Sequence, residues 1–155
     1  ASMPNRMQKV GEHGGVLYIN DSKATNAAST APALAAWPPV DGHRRIHWIL
    51  GGVAKSDSLD ECAAGFPNVA HAYTIGEAGP LFARLLREVD LPVEECEMLV
   101  TAVAQAAANA EPGDIVLFSP ACASFDQFRD FEARGDAFAA SVAALGDSAG
   151  AEGAA

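Results

Sequence analysis

The apolar residues of this chain gather into short solid runs, and stretches of helical spacing lie between them. Val16-Leu17-Tyr18-Ile19, Ile46 to Leu50 and Ile115-Val116-Leu117-Phe118 carry almost no polar interruption. Strands covered on both faces read this way, because neither face alternates with solvent. His71 to Ile75 is another such run, and Pro92 to Cys96 suits a short edge strand. Leu81, Phe82, Leu85, Leu86 and Val89 recur at helical spacing within Gly76 to Val89. Further helices are expected over Ser29–Trp37, Ser58–Ala64, Met98–Ala110 and Phe125–Leu145. Pro32 is expected in the first turn of its helix, Pro38-Pro39 as its stop, and a break at Arg134-Gly135. Met7–Glu12 and Val16–Asn20 flank His13-Gly14-Gly15, the pattern of a β-hairpin.

Short apolar strands alternating with helices predict an α/β fold. The expected architecture is a Rossmann-like, mainly parallel sheet with helices on both faces and an N-terminal β-hairpin. Residues 1–145 are read as one domain, and the Gly/Ala/Ser-rich stretch 146–155 as a disordered tail. A chain of 155 residues suffices for a single core. In such sheets ligands bind beyond the carboxyl ends of the strands, so polar residues placed there carry the functional argument.

Composition narrows the classes. Half the residues are hydrophobic and 19% are charged, an ordinary globular balance. The net charge of −10 argues against nucleic acid or an anionic membrane as partner, since both call for a basic surface. There is no run of about 18 apolar residues to span a bilayer, and the first residues show no signal-peptide core. Cys62, Cys96 and Cys122 match neither a disulfide framework nor a zinc site, which suits reduced thiols in the cytoplasm. His13, His43, His47 and His71 lack metal-ligand spacing.

Three segments could carry chemistry. Lys9, Lys23 and Lys55 are the only lysines, and two of them lie just beyond strand ends. Lys23 belongs to Asn20-Asp21-Ser22-Lys23-Ala24-Thr25-Asn26, where an acid and a base could place phosphate or hydroxyl groups. Asp21, Ser22 and Thr25 fit turn and cap roles equally well. Lys55 follows Gly51-Gly52-Val53-Ala54. Paired glycines permit close backbone approach to a ligand, but the spacing is not Gly-x-x-x-x-Gly-Lys-Ser/Thr, which rules out a nucleotide P-loop here. The third segment is Ser119-Pro120-Ala121-Cys122-Ala123-Ser124-Phe125-Asp126-Gln127-Phe128, in which Ser124 suits the N-cap of the next helix, an anion-binding position. Cys122 has no His beside it in sequence and reads as a small buried thiol. Arg134-Gly135-Asp136 matches an integrin-binding tripeptide, a coincidence in a domain of this type.

Together these segments resemble the C-terminal domain of the Mur ligase family, in its D-glutamate-adding branch. The motifs carrying the resemblance are Asn-Asp-Ser-Lys-Ala-Thr-Asn, Gly-Gly-x-x-Lys and Leu-Phe-Ser-Pro-Ala-Cys-Ala-Ser-Phe-Asp-Gln-Phe. Met3-Pro4-Asn5-Arg6 is similar to a Pro-His-Arg at that family's domain junction. The likeness runs from about Pro4 to Leu145. It implies a three-domain enzyme in which this domain closes over ATP, while the first binds UDP-N-acetylmuramoyl-L-alanine. The central domain would hold the P-loop and the Mg2+ ligands. It also implies an ADP-forming ligation through an acyl phosphate, in a monomeric cytoplasmic protein of peptidoglycan synthesis. Arg6, Asp21 and Lys23 would contact the nucleotide. Thr25, Lys55, Ser124, Phe125 and Phe131 would hold D-glutamate. No catalytic residue is implied within these residues, and this chain alone would be inactive. Asn5 in place of His, Val53-Ala54 in place of a more polar pair, and Phe125 in place of Leu depart from the family pattern. Three other readings stand beside it: a ligase domain for another amino acid, a stand-alone amino-acid or nucleotide binding module, and a dinucleotide-binding oxidoreductase domain. The last lacks Gly-x-Gly-x-x-Gly after its first strand.

Overall fold

The computed structural model describes residues 4–124 and 126–154, with side chains up to Gly146. Six strands form one sheet in the order β1-β2-β6-β3-β4-β5. They are β1 (Gln8–His13), β2 (Val16–Asn20), β3 (Ile46–Gly51), β4 (Val69–Ile75), β5 (Val93–Glu97) and β6 (Ile115–Phe118). Among the strand pairs of the described residues, only β1–β2 is antiparallel. Its turn is Gly14-Gly15, both at positive φ (59° and 79°), the requirement of a tight hairpin turn that follows strand twist.

The alternation of side chains across the pleat divides the core in two. Trp48, Leu50, Ile115 and Leu117 face one layer with Leu34 and Phe82. That layer is built from α1 (Ala27–Ala35), a 3-10 helix (Asp60–Asn68) and α2 (Gly79–Glu88). Ile49, Tyr73, Val116 and Phe118 face the opposite layer with Val103, Phe138 and Val142, built from α3 (Leu99–Asn109) and α4 (Phe131–Ala154). The α/β Rossmann-like architecture, the hairpin and the helices on both faces are as the apolar pattern predicts. Among the described residues no helix is long and apolar enough to cross a membrane.

Several local expectations are corrected. Helix α1 starts at Ala27, where the Asn26 side chain caps the Ser29 N–H at 2.8 Å. Pro32 therefore falls in the second turn, where its ring leaves the Ala28 carbonyl without a helical donor. Helix α4 begins at Phe131, capped by Asp130, which accepts from Ala133 N–H at 2.8 Å. It passes unbroken through Arg134-Gly135. Gly135 is held there by close approach: a Cβ would lie 2.0 Å from Asn5 Oδ1 and 2.6 Å from Ser22 Oγ. Ser124 is consequently not a helix N-cap. Its carbonyl accepts from the Gln127 and Phe128 N–H groups in the turn that precedes α4. The side chains of the expected tail beyond Gly146 lie outside the described residues.

Candidate functional site

The carboxyl ends of β2, β3, β4 and β6 lie side by side, so the loops following them meet at one pole. After β2 the chain enters Asp21 to Asn26. Asp21 is almost fully buried and accepts two hydrogen bonds, from Ser119 Oγ at 2.7 Å and Met7 N–H at 3.2 Å. Burial holds its carboxyl above the usual value, against the opposing pull of those two donors and of Arg6. Arg6, Asp21 and Lys23 line one cavity of about 320 Å³, closed by Met7, Ala24, Ser29, Pro32 and Ala33. Two cations and one carboxylate around such a space can take a polyphosphate and a hydroxyl-bearing group together. Arg6 is aimed there by an unusual backbone, because Asn5 and Met7 on either side both have positive φ (63° and 48°). The segment is pinned through Lys23 N–H to Asn5 O at 2.9 Å, and through Asn5 Oδ1, which accepts from Asn20 Nδ2 and Ser22 Oγ.

At the end of β3, Gly51 and the following Gly52 adopt φ of 134° and 136°, which L side chains rarely tolerate. This lets the Lys55 loop run against the third motif, where Val53 and Ala123 exchange backbone hydrogen bonds at 2.9 and 3.0 Å. The bridge sets Lys55 and the buried Ser124 on neighbouring loops. Lys55 Nζ stands 3.4 Å from Thr25 Oγ1, so the first and second motifs also meet. The exposed ammonium, with hydroxyls around it, suits a carboxylate ligand. Phe131 is partly buried at the first position of α4, past the turn that follows Ser124. Phe125 lies outside the described residues. Cys122 is fully buried, and burial pushes its thiol up to about 12, which removes it as a nucleophile near neutral pH.

Sequence reasoning missed Arg134. It is 1% exposed and spans the two outer motifs, donating through Nε and Nη2 to Ser22 O and through Nη2 to Cys122 O at 2.7 Å. Burial lowers its pKa to about 10, which still leaves it charged at neutral pH. The available signal was a lone arginine beside glycine in an otherwise Ala-rich helix. Ser119 and Thr30 were also missed, and both are fully buried polar residues behind Asp21.

Known proteins similar to this chain point to one family. The family model described as Mur ligase, glutamate ligase domain, matches residues 5–122. Proteins named UDP-N-acetylmuramoylalanine–D-glutamate ligase are similar to nearly the whole chain. The one from Novosphingobium aromaticivorans is 64% identical over 92% of this chain and 31% of its own length. The one from Zymomonas mobilis is 57% identical over 94% and 32%. This chain thus spans about a third of the length of these relatives. Among solved structures, the bifunctional folylpolyglutamate synthase/dihydrofolate synthase of Yersinia pestis shares the fold, with a TM-score of 0.56 at 21% identity, over 90% of this chain and 31% of its own. The chain belongs to the Mur ligase family, as its glutamate ligase domain.

Proposed function

We propose that this chain contacts the nucleotide and the incoming amino acid for an ATP-dependent ligase that joins D-glutamate to UDP-N-acetylmuramoyl-L-alanine in bacterial cell-wall precursor synthesis. The observation that carries the reading is the convergence of Arg6, Asp21 and Lys23 on one cavity, with Lys55, Thr25 and Ser124 on the adjoining loops. In the reaction, the substrate carboxylate takes the terminal phosphoryl group of ATP, releasing ADP. The D-glutamate amine then attacks the acyl carbon, phosphate leaves with the bonding pair, and the amine gives up a proton. Such chemistry needs placement and charge neutralisation more than a protein nucleophile. Arg6 and Lys23 would neutralise phosphate charge, Asp21 would accept from ribose hydroxyls, and Lys55 would pair a D-glutamate carboxylate. Thr25, Ser124, Phe125 and Phe131 would complete the amino-acid site.

Among the described residues no three His, Cys, Asp or Glu side chains converge to hold a metal ion. By the family resemblance, Mg2+, the P-loop and the UDP-sugar site would lie in the other two thirds of the enzyme, and this chain alone would be inactive. A monomeric cytoplasmic enzyme is the expected setting. The test is amide chemical-shift mapping with ADP and with D-glutamate. ADP should perturb residues 6, 21 and 23, and D-glutamate residues 25, 55 and 124, with L-glutamate weaker. Perturbations centred elsewhere, or equal response to both glutamate enantiomers, would refute the assignment.

A further inference from the structure

Behind Asp21 lies a chain of hydroxyls that no substrate contact explains. Ser119, the first residue after β6, is fully buried, as is Thr30 on α1. Ser119 Oγ lies 2.7 Å from Asp21 Oδ2 and 2.9 Å from Thr30 Oγ1. Ser119 has a single hydroxyl proton, so it can donate to only one of them. An ionised carboxylate takes it, because charge-assisted bonds are the stronger, and Thr30 then donates to Ser119. The backbone leaves Ser119 little freedom. Its N–H donates to Ile49 O at 3.2 Å, and its carbonyl accepts from Trp48 Nε1 at 2.8 Å.

We propose that Ser119, backed by Thr30, is a positioning residue that fixes the Asp21 carboxylate in its orientation toward the cavity. The order of donation, Thr30 to Ser119 to Asp21, favours the ionised acid and leaves its second oxygen to Met7 N–H and the cavity. The groups facing Asp21 are Arg6 and Met7 N–H from the junction segment, Ser119 from the end of β6, and Lys23 on the same cavity wall. Ser119 opens the third motif, so the same hydroxyl ties the nucleotide-side loop to the amino-acid-side loop. The value of the arrangement to a ligase rests on Asp21 contacting nucleotide, but the positioning itself does not.

The experiment is a pH titration of the Asp21 carboxyl carbon by 13C NMR in the parent chain, Ser119→Ala and Thr30→Val, with a calorimetric ADP titration of each. Loss of a donor to the charged form should raise the Asp21 midpoint by about one pH unit in Ser119→Ala, a tenfold change in proton dissociation. Thr30→Val, which keeps shape and leaves Ser119 in place, should raise it by less. ADP binding should weaken about tenfold in Ser119→Ala, and in an Asp21→Asn background Ser119→Ala should add nothing. Should Ser119→Ala fail to fold, Thr30→Val decides alone. A midpoint unchanged in every folded variant overturns the proposal. If the parent binds no ADP, the nucleotide reading fails while the titration still decides the positioning.

Discussion

Replacing Gly52 by alanine should separate the Lys55 loop from the third motif. The φ of 136° is one that an L side chain rarely adopts, a strain of about 1–3 kcal/mol. The added Cβ would also stand 2.3 Å from Ala123 O and 3.1 Å from the Cys122 Cβ. Neither neighbour is the free end of a flexible side chain, so the backbone must move, which adds about 1–3 kcal/mol. The two hydrogen bonds of the Val53–Ala123 bridge lie in the path of that movement. Gly14→Ala is the control, since its φ of 59° is left-handed but nothing lies within 4 Å of the new Cβ. It should lose only about 1–2 kcal/mol, against about 2–6 kcal/mol for Gly52→Ala. For a domain of this size that corresponds to a fall in Tm of about 2–8 °C and ~4–24 °C respectively. Thermal melts followed by circular dichroism measure both. Equal melting temperatures for the two variants would refute the claim that loop contact, rather than turn conformation, requires Gly52.

Arg134→Lys should lower stability by about 1–3 kcal/mol in urea titrations, because the shorter side chain ends a bond short of Nη2, which serves both the Ser22 and Cys122 carbonyls, and brings no counterpart of the Nε donor, so a buried acceptor is left bare. A loss below ~0.5 kcal/mol would contradict the clamp, since that is the size of an ordinary surface change. Asp114 accepts from His43, His47 and Glu111 N–H; burial alone would raise its carboxyl, but these donors hold it below the ordinary 3.8. A depressed carboxyl stabilises the fold only while ionised. Asp114→Asn should therefore be less stable than the parent at pH 7, and the difference should shrink as pH falls below about 3.8; a constant difference in urea midpoint down to pH 3 would count against this. Cys62, Cys96 and Cys122 are free and buried, their thiols pushed up to about 12, 11 and 12. A thiol reagent at pH 8 should label none of them in the native chain and all after denaturation, and rapid native labelling of Cys122 would sink the buried-thiol assignment.

The layered fold was legible because the central strands are covered on both faces. Ile115 to Phe118 and Ile46 to Leu50 have no position that must face water, so the apolar runs name them directly. Edge strand β5 was legible for the opposite reason, its Glu94, Glu95 and Glu97 lying along an unpaired rim. The three site motifs were legible because each follows such a strand. What sequence could not reveal depends on tertiary contact. The late start of α4 follows from the turn held on Ser124 O, and Gly135 is helical because Asn5 and Ser22 leave no room for a side chain. Ser119, Thr30 and Arg134 lie far apart in the chain, and only folding places them behind Asp21 and between the outer motifs.

The central claim is tested most directly by joining this chain to the first two thirds of the Novosphingobium aromaticivorans relative, in place of that protein's own final third. Phosphate release is then followed with ATP, UDP-N-acetylmuramoyl-L-alanine and D-glutamate. The folded chimera should turn over only when D-glutamate is present, while this chain alone releases none. Lys55→Ala in the chimera should lower kcat/KM for D-glutamate by about 30- to 700-fold, the equivalent of 2–4 kcal/mol for an unpaired ligand carboxylate, whereas Cys122→Ala should retain most activity. A well-folded chimera with no D-glutamate-dependent turnover, or one in which Lys55→Ala leaves kcat/KM unchanged, would contradict the account.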